Sequence, residues 1–266
     1  MDVKPVPVSP SDLYGRLGSA SAPVLIDVRR RDSYIADDKM IIGAYHRAPA
    51  DVEHWREELP AGRAVVAFCD HGGNSSQSVA RALRGEGIDA TYLESGISGW
   101  KELELPMRKK LGAVGNKWVT REHPKIDRIA CPWLISRFIN PHAEFIYVPA
   151  NEVLAVAKER VATPYDIKGA EFGHVGDHCS FDAVIRLFEI KDPALDHLAM
   201  IVRGADTSRP DLTPQCDGLL AISYGLSANY PDDHEMLSHG MVIYDALYRW
   251  CRLQEERHRS PAKTTA

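Results

Sequence analysis

The chain has 266 residues, 44% hydrophobic and 26% charged, with a formal net charge of −5. Lys and Arg number 15 against 16 acidic residues over positions 1–110, and 17 against 21 over 111–266. Neither half carries the basic surplus of a nucleic-acid binder, and the length predicts two domains.

The stretch Met1-Asp2-Val3-Lys4-Pro5-Val6-Pro7 lacks the apolar core expected of a leader, and no run reaches membrane-spanning length. Five widely spaced cysteines (Cys69, Cys131, Cys179, Cys216, Cys251) include no CxxC pair. A disulfide framework or four-thiolate zinc site is therefore not expected, and a cytoplasmic setting is.

Three apolar runs read as strands in the first half: Val24-Leu25-Ile26-Asp27-Val28, Ala64–Phe68 and Thr91-Tyr92-Leu93. Strands apolar on both faces belong in a parallel sheet covered by helices. Val79, Ala80 and Leu83 mark the buried stripe of a helix that Gly85 and Gly87 end. Residues 1–108 thus predict a doubly wound α/β domain. Residues 109–116, with two glycines and no periodicity, read as a linker. Residues 117–254 predict a mainly α-helical (α+β) second domain, and 255–266 a polar tail. Asn151 is expected to cap a helix running to about Val161. Asp192-Pro193 and Thr213-Pro214 each read as a cap followed by proline at the first helical position, and Asp232 or Asp233 opens a long amphipathic helix.

The most informative segment is Cys69-Asp70-His71-Gly72-Gly73-Asn74-Ser75, at the carboxyl end of the Ala64–Phe68 strand. Ligands in doubly wound sheets bind at that edge. The strand delivers a thiol, small residues let the backbone curl around it, and a helix starting near Ser75 turns its positive dipole end toward it. Such a loop stabilises a thiolate, a persulfide or a bound oxyanion, with the main-chain N–H groups of Asp70, His71, Gly72, Gly73, Asn74 and Ser75 as the anion cradle. The alternative is an inert buried thiol at a strand end.

Together with Asp27-Val28-Arg29 and Glu94-Ser95-Gly96-Ile97-Ser98-Gly99-Trp100, the motif Cys69-x-x-Gly72-x-x-Ser75 resembles the rhodanese-like sulfurtransferase family. The resemblance implies a nucleophile at Cys69 that carries a persulfide from a small-molecule sulfur donor to a thiol or cyanide acceptor. Loops of active members often carry arginine after the cysteine and again before the serine; here those positions are Asp70 and Asn74. An acid there opposes the helix dipole and repels anionic thiosulfate, so the resemblance also admits a disabled loop. Asp27 and Arg29 are expected to be structural, holding the first loop beside the cysteine loop.

In the second half, Glu171 to Asp182 holds two histidines, one thiol and three carboxylates within twelve residues. Glu171 and His174 are candidate ligands for a divalent metal, the one cofactor the sequence suggests, with a solvated polar loop as the alternative. Gly173 and Gly176 argue against a helical i, i+4 pair of His174 and His178. Arg121, Arg128 and Arg137 flank Trp118 and Trp133, and guanidinium forks suit oxyanions such as chromate or sulfate. Pro132 is expected to start or kink a helix so that the Cys131 thiol is presented. Cys179 is a further candidate, while Cys216, Cys251 and His197 are assigned to the core.

Lys117–Glu122, Asp127–Ile139, Glu171–His174, Cys179–Asp182, Val202–Asp206 and Tyr244–Tyr248 resemble the C-terminal domain of the chromate-resistance ChrB family. That resemblance implies a role in handling chromate or its consequences. The leading expectation is a persulfide-forming sulfurtransferase fused to a chromate-resistance domain. The alternative is a non-catalytic chromate- or metal-binding sensor or regulator.

Overall fold

In the computed structural model, residues 4–259 are described; part of the tail expected over 255–266 lies outside them. Contacts divide the chain into two compact units. Residues up to Lys110, with Arg137–Pro141, form one; Leu111–Ser136 and the chain from His142 onward form the other.

The first unit contains β1 (Pro7–Val8), α1 (Pro10–Arg16), β2 (Val24–Asp27), α2 (Arg31–Ala36), β3 (Lys39–Ile41), β4 (Ala44–His46) and α3 (Val52–Trp55). It continues with β5 (Val65–Phe68), α4 (Asn74–Gly85), β6 (Ala90–Leu93), α5 (Gly96–Glu102) and β7 (Met107–Lys109). Five strands form one parallel sheet in the order β1-β6-β5-β2-β4, and β3 pairs antiparallel with β7. All four residues of the central strand β5 are buried, as a strand covered on both faces requires. Ser76, Val79, Ala80 and Leu83, spaced i, i+3, i+4 and i+7, are the buried positions of α4. Val79 and Leu83 pack with Ile26, Val65 and Ala67 of β2 and β5.

At the end of β2, Arg29 is 1% exposed and grips the fully buried Asp27 with two guanidinium nitrogens (Nε–Oδ1 3.0 Å, Nη2–Oδ2 2.7 Å). Its Nη1 donates to Asp37 Oδ2 at 2.7 Å and its Nη2 to the Lys39 carbonyl. The pair therefore ties the strand end to the segment leading into β3. Burial lowers the Arg29 pKa, but hydrogen bonds and charge from Asp27 and Asp37 outweigh it and hold the guanidinium above its ordinary value.

The second unit contains β8 (Lys117–Arg121), α6 (Asp127–Leu134), β9 (Glu144–Val148), α7 (Val153–Arg160), β10 (Thr163–Pro164) and α8 (Ser180–Leu187), then α9 (Pro193–Asp206), α10 (Cys216–Asn229) and α11 (Asp233–Arg259). A small parallel sheet, β10-β8-β9, accompanies the helices. Val119 of β8 packs with Val153 and Ala157 of α7. Among the described residues, no helix is long and apolar enough to cross a membrane.

Helix starts follow the sequence unevenly. Asp192 caps α9 by accepting from the Ala194 N–H at 2.9 Å, and Asp232 accepts from His234 and Glu235 at the start of α11. Asn151 caps nothing: α7 begins at Val153 with Glu152 at its cap position and no side-chain bond. Thr213 is likewise no cap. Its carbonyl accepts from the Cys216 N–H at 3.2 Å, so residues 213–215 make a turn ahead of α10. Pro132 neither starts nor breaks α6. The carbonyl that its missing N–H would have met, four residues back on Arg128, accepts instead from the Tyr147 hydroxyl at 3.3 Å, and a π-helical turn follows at Ile135–Ile139.

Candidate functional site

Cys69 lies one residue past β5 and is 8% exposed. One side of the residue packs with Ile26, Val28 and Val79. Its Sγ is 3.2 Å from the Ser76 hydroxyl, which is also 3.2 Å from the Gly73 carbonyl. Among the described residues, the main-chain N–H groups from Asp70 to Ser76 donate to no protein acceptor. Those from Asn74 onward are the unpaired donors that any helix start presents.

Two glycines set the loop. Gly72 has φ +68°, and a Cβ there would stand 2.7 Å from the Leu93 carbonyl oxygen. Gly96 has φ +57°, and its Cβ would overlap the Cys69 carbonyl oxygen. The Ile97 and Ser98 N–H groups donate at 3.0 Å to the carbonyls of Cys69 and Asp70, so the start of α5 is seated against the loop. Gly96→Ala should therefore cost about 2–4 kcal/mol, from left-handed strain plus a backbone clash. Faster hydrogen exchange over residues 69–76 checks this; unchanged protection would refute it.

Asp70 and Ser75 are half-buried, while His71 and Asn74 are exposed. The side chain that reaches the sulfur is Ser76, one position beyond the motif serine. Helix α4 begins at Asn74, which puts Ser76 on its buried face.

In the second unit the chemistry gathers around His174. Its Nε2 lies 3.4 Å from Asp127 Oδ2, 3.2 Å from Asp166 Oδ1 and 3.3 Å from Asp206 Oδ2. Asp127, fully buried in the first turn of α6, also accepts from the Ser180 and Phe181 N–H groups at 2.7 and 2.9 Å and so fixes the start of α8. Asp166 accepts from the Ser180 hydroxyl and pairs with Arg121 (2.9 Å) and Arg128 (3.2 Å).

Hydrogen bonds to Asp127 and Asp166 raise the His174 pKa to about 10. Burial, with Asp127 and Asp166 beside it, raises Asp206 to about 7. Burial pushes Asp166 up as well, but His174 and Arg121 reverse the sign and hold it below its ordinary value. Asp127, His174 and Asp206 each offer a ligand atom within 4.8 Å of the others, a group able to hold a metal ion. Glu171 is exposed and outside this group. Asp127, Asp166 and Asp206 were not singled out by the sequence reading.

The remaining candidates are distributed differently from expectation. Cys131 is packed rather than presented: it is 0% exposed, donates to Asp127 Oδ1 at 3.4 Å, and burial drives its pKa well up. Cys179 is equally buried, at the cap position of α8, and burial raises its pKa too. Trp118 and Trp133 are fully buried, so they face no solvent-borne anion; Trp133 donates to Asp245 at 2.8 Å. Arg128 is committed to Asp166 and to the Glu122 carbonyl, and Arg137 falls on the π-helical turn.

Cys216 and Cys251 are in the core as expected. His197 is not: it is half-buried against Trp250 and lines a cavity of about 680 Å³ with His178, Cys179, Arg186 and Arg203. A second cavity, of about 520 Å³, is lined by Arg121, Asp166, Lys168 and His174.

A parallel α/β unit with a thiol at the carboxyl edge of its sheet, followed by a largely helical unit, defines a two-domain fusion protein. The sequence pattern of the rhodanese-like domain matches residues 9–103, and that of the ChrB C-terminal domain matches residues 118–251. The chain belongs to the ChrB C-terminal domain family. It is 31% identical over 154 residues to Protein ChrB of Cupriavidus metallidurans, a match covering 58% of this chain and 45% of that protein. Thus the chain spans less than half the length of this curated relative.

Two solved structures are similar to the first domain. A rhodanese-related protein from Thermoplasma volcanium is 22% identical, over 38% of this chain and 96% of that one, with a TM-score of 0.34. A protein from Lactobacillus plantarum is 22% identical, over 40% of this chain and 88% of that one, with a TM-score of 0.36.

Proposed function

We propose that the first domain is a sulfurtransferase that carries sulfur as a persulfide on Cys69, in the service of a second domain that handles chromate or its consequences. The observation that carries this reading is the placement of Cys69 Sγ 3.2 Å from the Ser76 hydroxyl, at the start of a helix whose leading N–H groups have no protein acceptor. A thiolate or persulfide anion is stabilised by such donors.

In the transfer, Cys69 thiolate attacks the outer sulfur of a donor. The Cys69 S–S bond forms as the donor's own bond to that sulfur breaks, and the leaving group departs with the electron pair. For thiosulfate that leaving group is sulfite. An acceptor thiolate then attacks the outer persulfide sulfur and returns Cys69 as thiolate. Because Asp70 and Asn74 stand where arginines would draw in thiosulfate, a donor of lower charge, such as a small persulfide, suits the loop better. The role in chromate handling is supported by the second half's kinship to ChrB.

Mass spectrometry of the full chain after incubation with glutathione persulfide should show one added sulfur atom on Cys69, and none at that position in Cys69→Ser. Wild type without the adduct, or an equal gain of sulfur by Cys69→Ser, overturns the reading.

A further inference from the structure

We propose that Asp127, His174 and Asp206 form a binding site for a first-row divalent cation, with Asp166 at its edge. This site lies in the second unit and is independent of the sulfur reading.

The first argument is valence. Three carboxylate oxygens from three aspartates converge within 3.2–3.4 Å of one imidazole nitrogen, yet that nitrogen can donate a single hydrogen. A metal ion is the partner that can meet a nitrogen and several carboxylate oxygens at once. Ligands about 2.0–2.2 Å from a common ion stand up to roughly 4.4 Å apart, so a span within 4.8 Å closes around one with little movement.

Charge points the same way. Asp166 is offset by Arg121 and Arg128, whereas Asp127 and Asp206 meet only His174 among the described ion pairs. Three carboxylates against two guanidiniums leave the cluster with net negative charge once His174 is neutral, as a ligand must be, and that favours a cation.

The ligands are also held for the task. They come from the start of α6, the segment before α8 and the end of α9, and two main-chain N–H groups orient Asp127. Outer hydrogen bonds of this kind fix metal ligands. His174, 41% exposed, lines the 520 Å³ cavity with Arg121 and Lys168, which gives an ion a way in and leaves room for water or an anion on it.

One imidazole nitrogen with carboxylate oxygens and no sulfur suits Mn²⁺, Fe²⁺ or Zn²⁺ rather than a soft ion.

The test titrates the chelator-stripped full chain with Zn²⁺ by calorimetry. Wild type should bind one equivalent, weakened at least tenfold in His174→Gln and in Asp206→Asn. Glu171→Gln and Cys69→Ser should bind as wild type, so a failure of the persulfide reading leaves this result standing. No binding by wild type, or undiminished binding by both site variants, overturns the proposal. Circular dichroism confirms that the variants fold. Should they not, the visible spectrum of Co²⁺-loaded wild type decides: weak bands of nitrogen and oxygen ligation support the site, and an intense thiolate-to-cobalt band refutes it.

Discussion

Replacing Arg29 with Met should destabilise the first domain by roughly 3–5 kcal/mol, the cost of leaving one member of a buried ion pair alone. Asp27 is fully buried and would keep only the Arg29 main-chain N–H, at 3.0 Å, among the bonds Arg29 now gives it. Asp37 would suffer less, because it also pairs with Lys101 at 2.7 Å. Hydrogen exchange over residues 24–28 and 65–68 reports this domain separately from the other. The double variant Asp27→Ala/Arg29→Met should be less destabilised than Arg29→Met alone, since removing both charges removes the desolvation problem. A single-variant cost below about 1 kcal/mol, or a double variant worse than the sum, would refute this account.

Asp127→Ala should be the corresponding weak point of the second domain, with an expected loss of roughly 2–4 kcal/mol. Its carboxylate caps α8 from a distance in sequence, accepting from both Ser180 and Phe181. Removing it strands two buried donors. Part of the loss is returned, because Asp127 is one of the neighbours that push Asp206 up to about 7. Asp127→Asn should fall between wild type and Ala, as an amide oxygen still accepts one N–H. Urea unfolding followed by hydrogen exchange over residues 180–187 measures the order. Equal losses for Ala and Asn would show that charge, not acceptor geometry, holds the helix.

What could be read from the sequence divides along physical lines. Strands β2, β5 and β6 were legible because a doubly covered parallel strand is a run of apolar residues. Helix α4 was legible from the spacing of Val79, Ala80 and Leu83. The thiol loop followed from its place after β5. Ser76 was missed because the helix starts at Asn74, one residue before the expected start near Ser75, and one helical residue turns a side chain by about 100°.

The aspartates around His174 were missed for a different reason. Asp127, Asp166 and Asp206 are about 40 residues apart and meet only through tertiary packing, so local density favoured Glu171 instead. One signal was available: Asp206 ends α9, where a negative charge opposes the helix dipole and needs a reason. Cys131 misled because Pro132 promised a break; the Tyr147 hydroxyl that repairs the helix comes from a strand the sequence had not announced.

The pairing of β1 with β6 has a consequence for biosynthesis. Pro7 and Val8 align with Tyr92 and Leu93, so the earliest strand of this sheet waits for the latest one in chain order. The turn at Ser95–Gly96 that braces the cysteine loop is made later still. During translation, then, the sulfur emerges well before its surroundings exist, and becomes a defined chemical centre only as the domain is completed.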